Sequence, residues 1–223
     1  MTAARNHRRP AKRTIRVAKE GSARDAIGEL QHGQDVFILT FGQFSLIDAV
    51  VAILDQVGPA DVAISTWTAA DAHLERSRHL LESATIRSIR WIVDYSFESR
   101  QPEYCHHMRR LFGADCIRAI RTHAKFVTIR NDEWNIVIRT SMNLNENPRL
   151  EDLEITDDRE FAEFFTRIVD EVFAEVEPLE NRSDLPTMDR LPDTCRYPEV
   201  RHGVIRREDV NEPTFTHTIS RHD

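Results

Sequence analysis

The chain lacks several things that would define its class at once. It has only three cysteines, Cys105, Cys116 and Cys195, an odd number without paired spacing. A disulfide framework is therefore excluded, and a reducing, cytoplasmic compartment is expected. No apolar run approaches the roughly 18 residues that span a membrane, and no anchor or amphipathic membrane-binding helix stands out. No membrane partner is expected. The basic start is not followed by an apolar stretch, so no signal peptide is expected either. A Walker-type glycine loop and a dinucleotide fingerprint are both missing, which leaves no cofactor to predict. Acid is missing from one place: Arg5, Arg8, Arg9, Lys12, Arg13, Arg16 and Lys19 follow one another with no Asp or Glu between them, although the 223 residues carry a net charge of −7.

What is present divides into three segments. Residues 1–22 read as a basic, disordered arm, with unpaired cations suited to tethering a polyanion. Residues 23–177 carry the pattern of a folded α/β domain. Residues 178–223 scatter Pro178, Pro186, Pro192, Pro198 and Pro213 among charged residues and read as an extended tail.

Inside the domain, short apolar runs alternate with helical periodicity. Strands are predicted at Val36–Thr40, Val62–Thr66, Ile86–Val93 and Cys116–Ile120. Ser45 has N-cap chemistry for a helix that Gly58-Pro59 stops. Further helices are predicted from Ala69 to Ser83 and from Glu103 to Phe112. After another strand at Leu153–Thr156, Asp157 and Glu160 stand as a capping pair. They precede the clearest amphipathic helix, Phe161 to Val176, whose apolar stripe reads as core that can extend into a subunit interface. This order predicts a mixed, largely parallel sheet flanked by helices, with extended N- and C-terminal tails.

The chemistry gathers between Arg121 and Glu154. His123 and Lys125 are two residues apart, as are Ser141 and Asn143 on the next apolar run. Strand side chains alternate with period two, so two strands joined as a hairpin would bring all four to one point. A nucleophile, a fixed positive charge, a hydroxyl and an amide together suit gripping and attacking a phosphate. Arg121 and Arg139 flank this set and are candidates for neighbouring phosphates. Ser65, Thr66 and Trp67 lie at the carboxyl end of a predicted strand, where open α/β sheets bind ligands, and Trp67 is a candidate for stacking on a base. Phe41-Gly42-Gln43 occupies the equivalent end of the first strand. Cys105-His106-His107 looks like a metal cluster, but neighbours on a helix point about 100° apart, so an ordinary surface or interface helix is expected and no metal.

His123-Ala-Lys125 followed by Thr140-Ser141-Met142-Asn143 resembles the signature of the phospholipase D superfamily, His-x-Lys followed by Asp and then Gly-Ser-x-Asn. The resemblance extends over residues 35–177 and includes one motif copy. It implies that His123 attacks phosphorus to give a phosphohistidine. Lys125 and Asn143 then hold non-bridging oxygens, Ser141 supports them, and Glu154 orients the histidine. It also implies a homodimer in which the second His123 is the general acid, with no metal and no cofactor. Single-copy members resemble the small bacterial endonucleases, so the expected substrate is nucleic acid, DNA in particular; the basic arm points the same way. Two positions depart from the pattern. Arg130 stands where the family has Asp, and Thr140 where it has Gly. Both motivate the alternative of a phosphate-binding shell without catalysis, for DNA binding or assembly. A lipid phosphodiesterase is the remaining alternative.

Overall fold

The computed structural model describes residues 11–144 and 148–179. The elements run β1 (Lys12–Ala18), α1 (Ala23–Ile27), β2 (Gln34–Thr40), α2 (Leu46–Val57), β3 (Ala60–Thr66), α3 (Asp71–Glu82), β4 (Ile86–Asp94), α4 (Phe97–Arg100) and α5 (Pro102–Phe112). Then follow β5 (Ile117–Ile120), β6 (Phe126–Arg130), β7 (Asn135–Thr140), β8 (Glu151–Asp157) and α6 (Arg159–Glu175). All eight strands form one sheet in the order β1-β2-β8-β7-β6-β3-β4-β5. β1 pairs with β2, β3 with β4, and β4 with β5 in parallel, while β6 and β8 run against their neighbours. The mixed, largely parallel α/β architecture is as the sequence predicts.

The first five helices share one face of the sheet. Ile27, Leu46, Ile53 and Leu74 pack there against Ile38, Ile64, Trp91, Ile138 and Ile155, all essentially inaccessible to water. Among the described residues, the other face is covered by α6 alone. Val169, Val172 and Val176 sit with Phe165 and Phe173 on Ala63, Ile92 and Phe126. α6 therefore covers the β6-β3-β4 region and leaves the β1-β2-β8 part of its face uncovered. Ile15 and Val17 of β1 are 72% and 58% exposed there. The stripe read as core is divided accordingly: Phe164 is 48% exposed, and only Ala162, Val169 and Val172 of α6 are buried.

Helix starts follow local chemistry. The Ser45 side chain accepts from Asp48 N–H, and Asp48 in turn accepts from Ser45 N–H, a complete capping box. At α6 the cap is Asp158, which accepts from Phe161 N–H at 3.0 Å, rather than Asp157. Asp157 is the last residue of β8, and its carboxylate accepts from the backbone N–H groups of Gly33 and Asn135.

The arm requires a larger correction. Residues 12–18 are not disordered; they form an edge strand in register with β2, Lys12 opposite Gln34 through Ala18 opposite Thr40. Thr14, Arg16 and Ala18 turn inward and Arg13, Ile15 and Val17 outward, an alternation that the interspersed arginines hide. Two of the cations taken as free are used internally. Arg13 pairs with Asp35 and Glu154. Arg16 donates to Ala26 C=O at 2.8 Å and lies so close to Gly28 that a Cβ there would stand 2.6 Å from its Nη1. With φ at +70°, Gly28 is a position only glycine fills without strain. Arg5, Arg8, Arg9 and the tail from 180 onward lie outside the described residues.

Ser45→Ala, which removes half of the capping box, is expected to lower unfolding free energy by about 1 kcal/mol. Ile64→Ala, in the sealed core, is expected to lower it by about 2–5 kcal/mol. Urea denaturation with an unchanged m-value checks both.

Candidate functional site

The site is set by how the chain passes from β5 to β6. β5 is an edge strand, and β6 lies three positions away, beyond β4 and β3. At about 4.8 Å per strand that is about 14 Å, and residues 121–125 must cover it as an extended segment over the ends of β4 and β3. Each crossed strand holds the segment down. Asp94, the last residue of β4, accepts from Thr122 N–H at 3.1 Å. Ser65 of β3 donates its hydroxyl to Ala124 C=O at 2.8 Å. Both side chains are buried. The backbone is thus fixed on either side of His123, whose side chain is exposed.

His123 and Lys125 accordingly lie in this crossover and not on a strand. β6 begins at Phe126, and the predicted hairpin follows, with Phe126 opposite Arg139 and Arg130 opposite Asn135. Ser141 and Asn143 come just after β7, at the same end of the sheet. The Lys125 ammonium lies 3.2 Å from His123 Nδ1 and 3.5 Å from Nε2, and donates to His123 C=O at 2.9 Å. The ammonium thus lies against the His123 ring, close to both of its nitrogens. Partial burial holds the Lys125 pKa below the ordinary lysine value, and the nearby Glu151 carboxylate opposes that shift. Glu151 also accepts a short hydrogen bond from the Ser141 hydroxyl, which itself accepts from Asp152 N–H at 2.9 Å. The Asn143 side-chain oxygen is buried and meets no hydrogen-bond partner among the described residues. The fold leaves that amide oxygen unused.

Three predicted site residues are placed otherwise. Glu154 does not reach His123. It lies three residues further along β8, opposite Arg139 and Phe37, and is paired with Arg139 and Arg13 at 3.5 Å each. The acid at the site is Glu151, where β8 begins. Arg139 is exposed and carries that ion pair on the α6 side of the sheet. Thr66 is fully buried and donates to Thr68 C=O at 2.7 Å, so it offers nothing to a ligand. Trp67 is where the sequence expects it, with its ring 5.9 Å from that of His123 and tilted by 56°. Arg121 is exposed and lies over the Tyr95 ring at 5.1 Å.

The two departures from the motif resolve separately. Thr140 is tied into the backbone, donating to Asp152 C=O at 2.5 Å and accepting from Met142 N–H at 3.0 Å. Arg130 stands at the far end of β6, bonded to Asn135 and Thr166. It lines a polar cavity of about 470 Å³ together with Asp61, Arg87, Arg90 and Asp132, at the opposite end of the sheet from His123. Cys105, His106 and His107 go three ways: Cys105 is buried, His106 is exposed, and His107 ties α5 to α3 through Asp71 and Glu75 at 2.8 Å each. Among the described residues no group of three or more His, Cys, Asp or Glu side chains is placed to hold a metal ion.

Sequence reasoning missed Asp94, Glu151, Arg100 and Tyr95. Glu151 carried a faint signal, as one of three acids in Glu151-Asp152-Leu153-Glu154. The others join the site only through strand order.

No protein-family model and no curated protein matches the sequence. Solved structures do match it. NucT from Helicobacter pylori, 15% identical, aligns over 65% of this chain and 98% of its own with a TM-score of 0.50. Nuc from Salmonella typhimurium, a phospholipase D family member, is 12% identical and aligns over 60% of this chain and 91% of its own, with a TM-score of 0.44. The likeness to NucT is one of fold.

The titration of Lys125 is expected to lie below that of the exposed lysines, followed through its side-chain carbon resonance by NMR. Removing the opposing carboxylate with Glu151→Gln is expected to lower it further. A titration that stays fixed or rises would show that Glu151 does not act on the ammonium.

Proposed function

We propose that this chain, which has a phospholipase D-like fold, is a phosphodiesterase that cleaves nucleic acid, DNA in particular, through a phosphohistidine and as a homodimer. One observation carries the reading. An exposed imidazole and a half-buried ammonium in contact stand on a crossover fixed at both sides, beside the hydroxyl and amide that follow β7. That arrangement matches the roles the motif implies for His123, Lys125, Ser141 and Asn143.

The steps follow from the groups present. An unprotonated ring nitrogen of His123 attacks phosphorus, a P–N bond forms, and the P–O bond to the leaving alcohol breaks. Lys125 and the Asn143 amide bind the non-bridging oxygens, where charge develops. Ser141, held by Glu151 and Asp152, supports that pair. The leaving oxygen needs a proton, which the imidazolium of a second His123 supplies. Water then attacks phosphorus, gives its proton to that second imidazole, and the P–N bond breaks. Imidazole changes charge near neutral pH, so the two histidines can hold opposite states. The route needs no metal ion.

A second copy is supported by the part of the α6 face that no described residue covers. Ile15, Val17, Phe41, Leu150 and Phe164 are all large apolar side chains left exposed, and Ile15 and Val17 project from the side of the sheet on which α6 lies. A twofold contact through this side presents the same patch from both chains. Nucleic acid is favoured over lipid because both cation–aromatic pairs near His123, Arg100 with Trp67 and Arg121 with Tyr95, suit phosphates that carry bases. No helix among the described residues is long and apolar enough to cross a membrane.

With EDTA present, the protein is expected to cut DNA, and His123→Ala is expected to lose several orders of magnitude in rate. A slow phosphodiester should trap phosphorus on His123, detectable by mass spectrometry; turnover without any such adduct, undiminished in the mutant, would overturn the mechanism. Sedimentation equilibrium is expected to show a dimer. Ile15→Asp is expected to shift it to monomer and to remove cleavage with it. A fully active monomer would refute the paired-histidine step.

A further inference from the structure

Arg100 has no part in the motif, yet it is built into the site. Its guanidinium carbon lies 3.7 Å from the centre of the Trp67 ring, a face-on stack. Two in-plane bonds hold it there: Nε donates to the Ser96 hydroxyl and one terminal nitrogen to Trp67 C=O, each at 2.9 Å. The Ser96 hydroxyl in turn donates to Asp94 Oδ1 in a short hydrogen bond. The other oxygen of the same carboxylate fixes Thr122, next to His123. One buried acid thus sets both the nucleophile's backbone and the stacked pair, and the Trp67 ring lies 5.9 Å from that of His123.

We propose that the Arg100–Trp67 stack is a platform for one unpaired nucleobase beside the scissile phosphate, so that the substrate is single-stranded nucleic acid. The inference rests on the phosphodiesterase reading for the position of that phosphate. Three features point to a base. Arg100 is exposed, so the outer face of its guanidinium is open once the inner face lies on Trp67. A planar delocalised cation on an indole is a stacking surface for any base, whatever its hydrogen-bonding edge. The remaining terminal nitrogen meets no partner among the described residues, and its donors lie in the plane of the stack, where a sugar–phosphate chain passes. Arg121 over Tyr95 repeats the pairing two residues before His123. A base inside a duplex is already stacked on both faces and cannot take such a place without leaving the helix.

Binding is measured with the full chain carrying H123N, which keeps the strand intact, against a labelled single-stranded 12-mer and the same backbone without its bases. The strand with bases is expected to bind about tenfold tighter or more. R100A, and R100K, which keeps the charge but not the plane, are expected to bring the two strands within about twofold of each other, and W67A to do the same. A duplex of the same sequence is expected to compete about tenfold more weakly than the single strand. Equal binding of the two strands, discrimination that persists in R100A and R100K, or a duplex that competes as well as the single strand would each overturn the platform. Cleavage by the unmodified chain is scored separately. A strand bound with discrimination but never cut leaves the platform standing and removes the hydrolytic reading. A strand cut with no preference for bases removes the platform alone.

Discussion

The crossover from β5 to β6 is the constraint on which the site depends. β6 is inserted against β3 in the middle of the sheet, while β5 ends at its edge. Five residues join them and pass over the ends of both intervening strands. A segment this extended has few conformations to lose, and the Asp94 and Ser65 bonds remove most of those that remain. His123 is therefore exposed without being loose. An exposed histidine on an ordinary surface loop would have to be ordered by its ligand, at an entropic cost the crossover has already met on folding.

The same arrangement explains why the site mixes well-satisfied and unsatisfied polar groups. Asp94, Ser65, Thr140 and the Ser141 hydroxyl are consumed by the backbone or by neighbouring side chains. They shape the rim and do not act on a ligand. Lys125 and Asn143 are different. The ammonium is partly desolvated beside an imidazole, and the amide oxygen is buried without a partner among the described residues. The ammonium gains when a polar anion arrives, because part of its desolvation was completed on folding, whereas the amide oxygen only accepts and is suited to a donor.

Much of the fold was legible in the sequence because its signals are local. Val36–Thr40 and Ile86–Val93 read as strands from their apolar runs, Ser45 as a cap, and the hairpin from two runs around a polar turn. What was not legible depends on pairing. The edge strand β1 was read as a loose arm because Arg13 and Arg16 mask its alternation, and only the parallel register with β2 makes it a strand. Glu154 was assigned to the histidine by its distance along the chain. The β7–β8 register turns it onto Arg139, and Glu151 takes the position beside Lys125 and Ser141. Thr66 was expected to face a ligand because it ends a strand, but its hydroxyl turns inward to the next turn. Asp94 and Arg100 carry no motif. They matter because the order of strands places them under and beside His123.

The edge strand has one more consequence, for how copies of this chain can meet. Among the described residues β1 has a neighbour on one side only, and sheets with open edges tend to join edge to edge. Here the edge carries Lys12, Arg13 and Arg16, so two antiparallel copies of β1 would set like charges against each other across a narrow ladder. Cationic residues on an open edge therefore bias the strand against lengthening the sheet into a ribbon of copies.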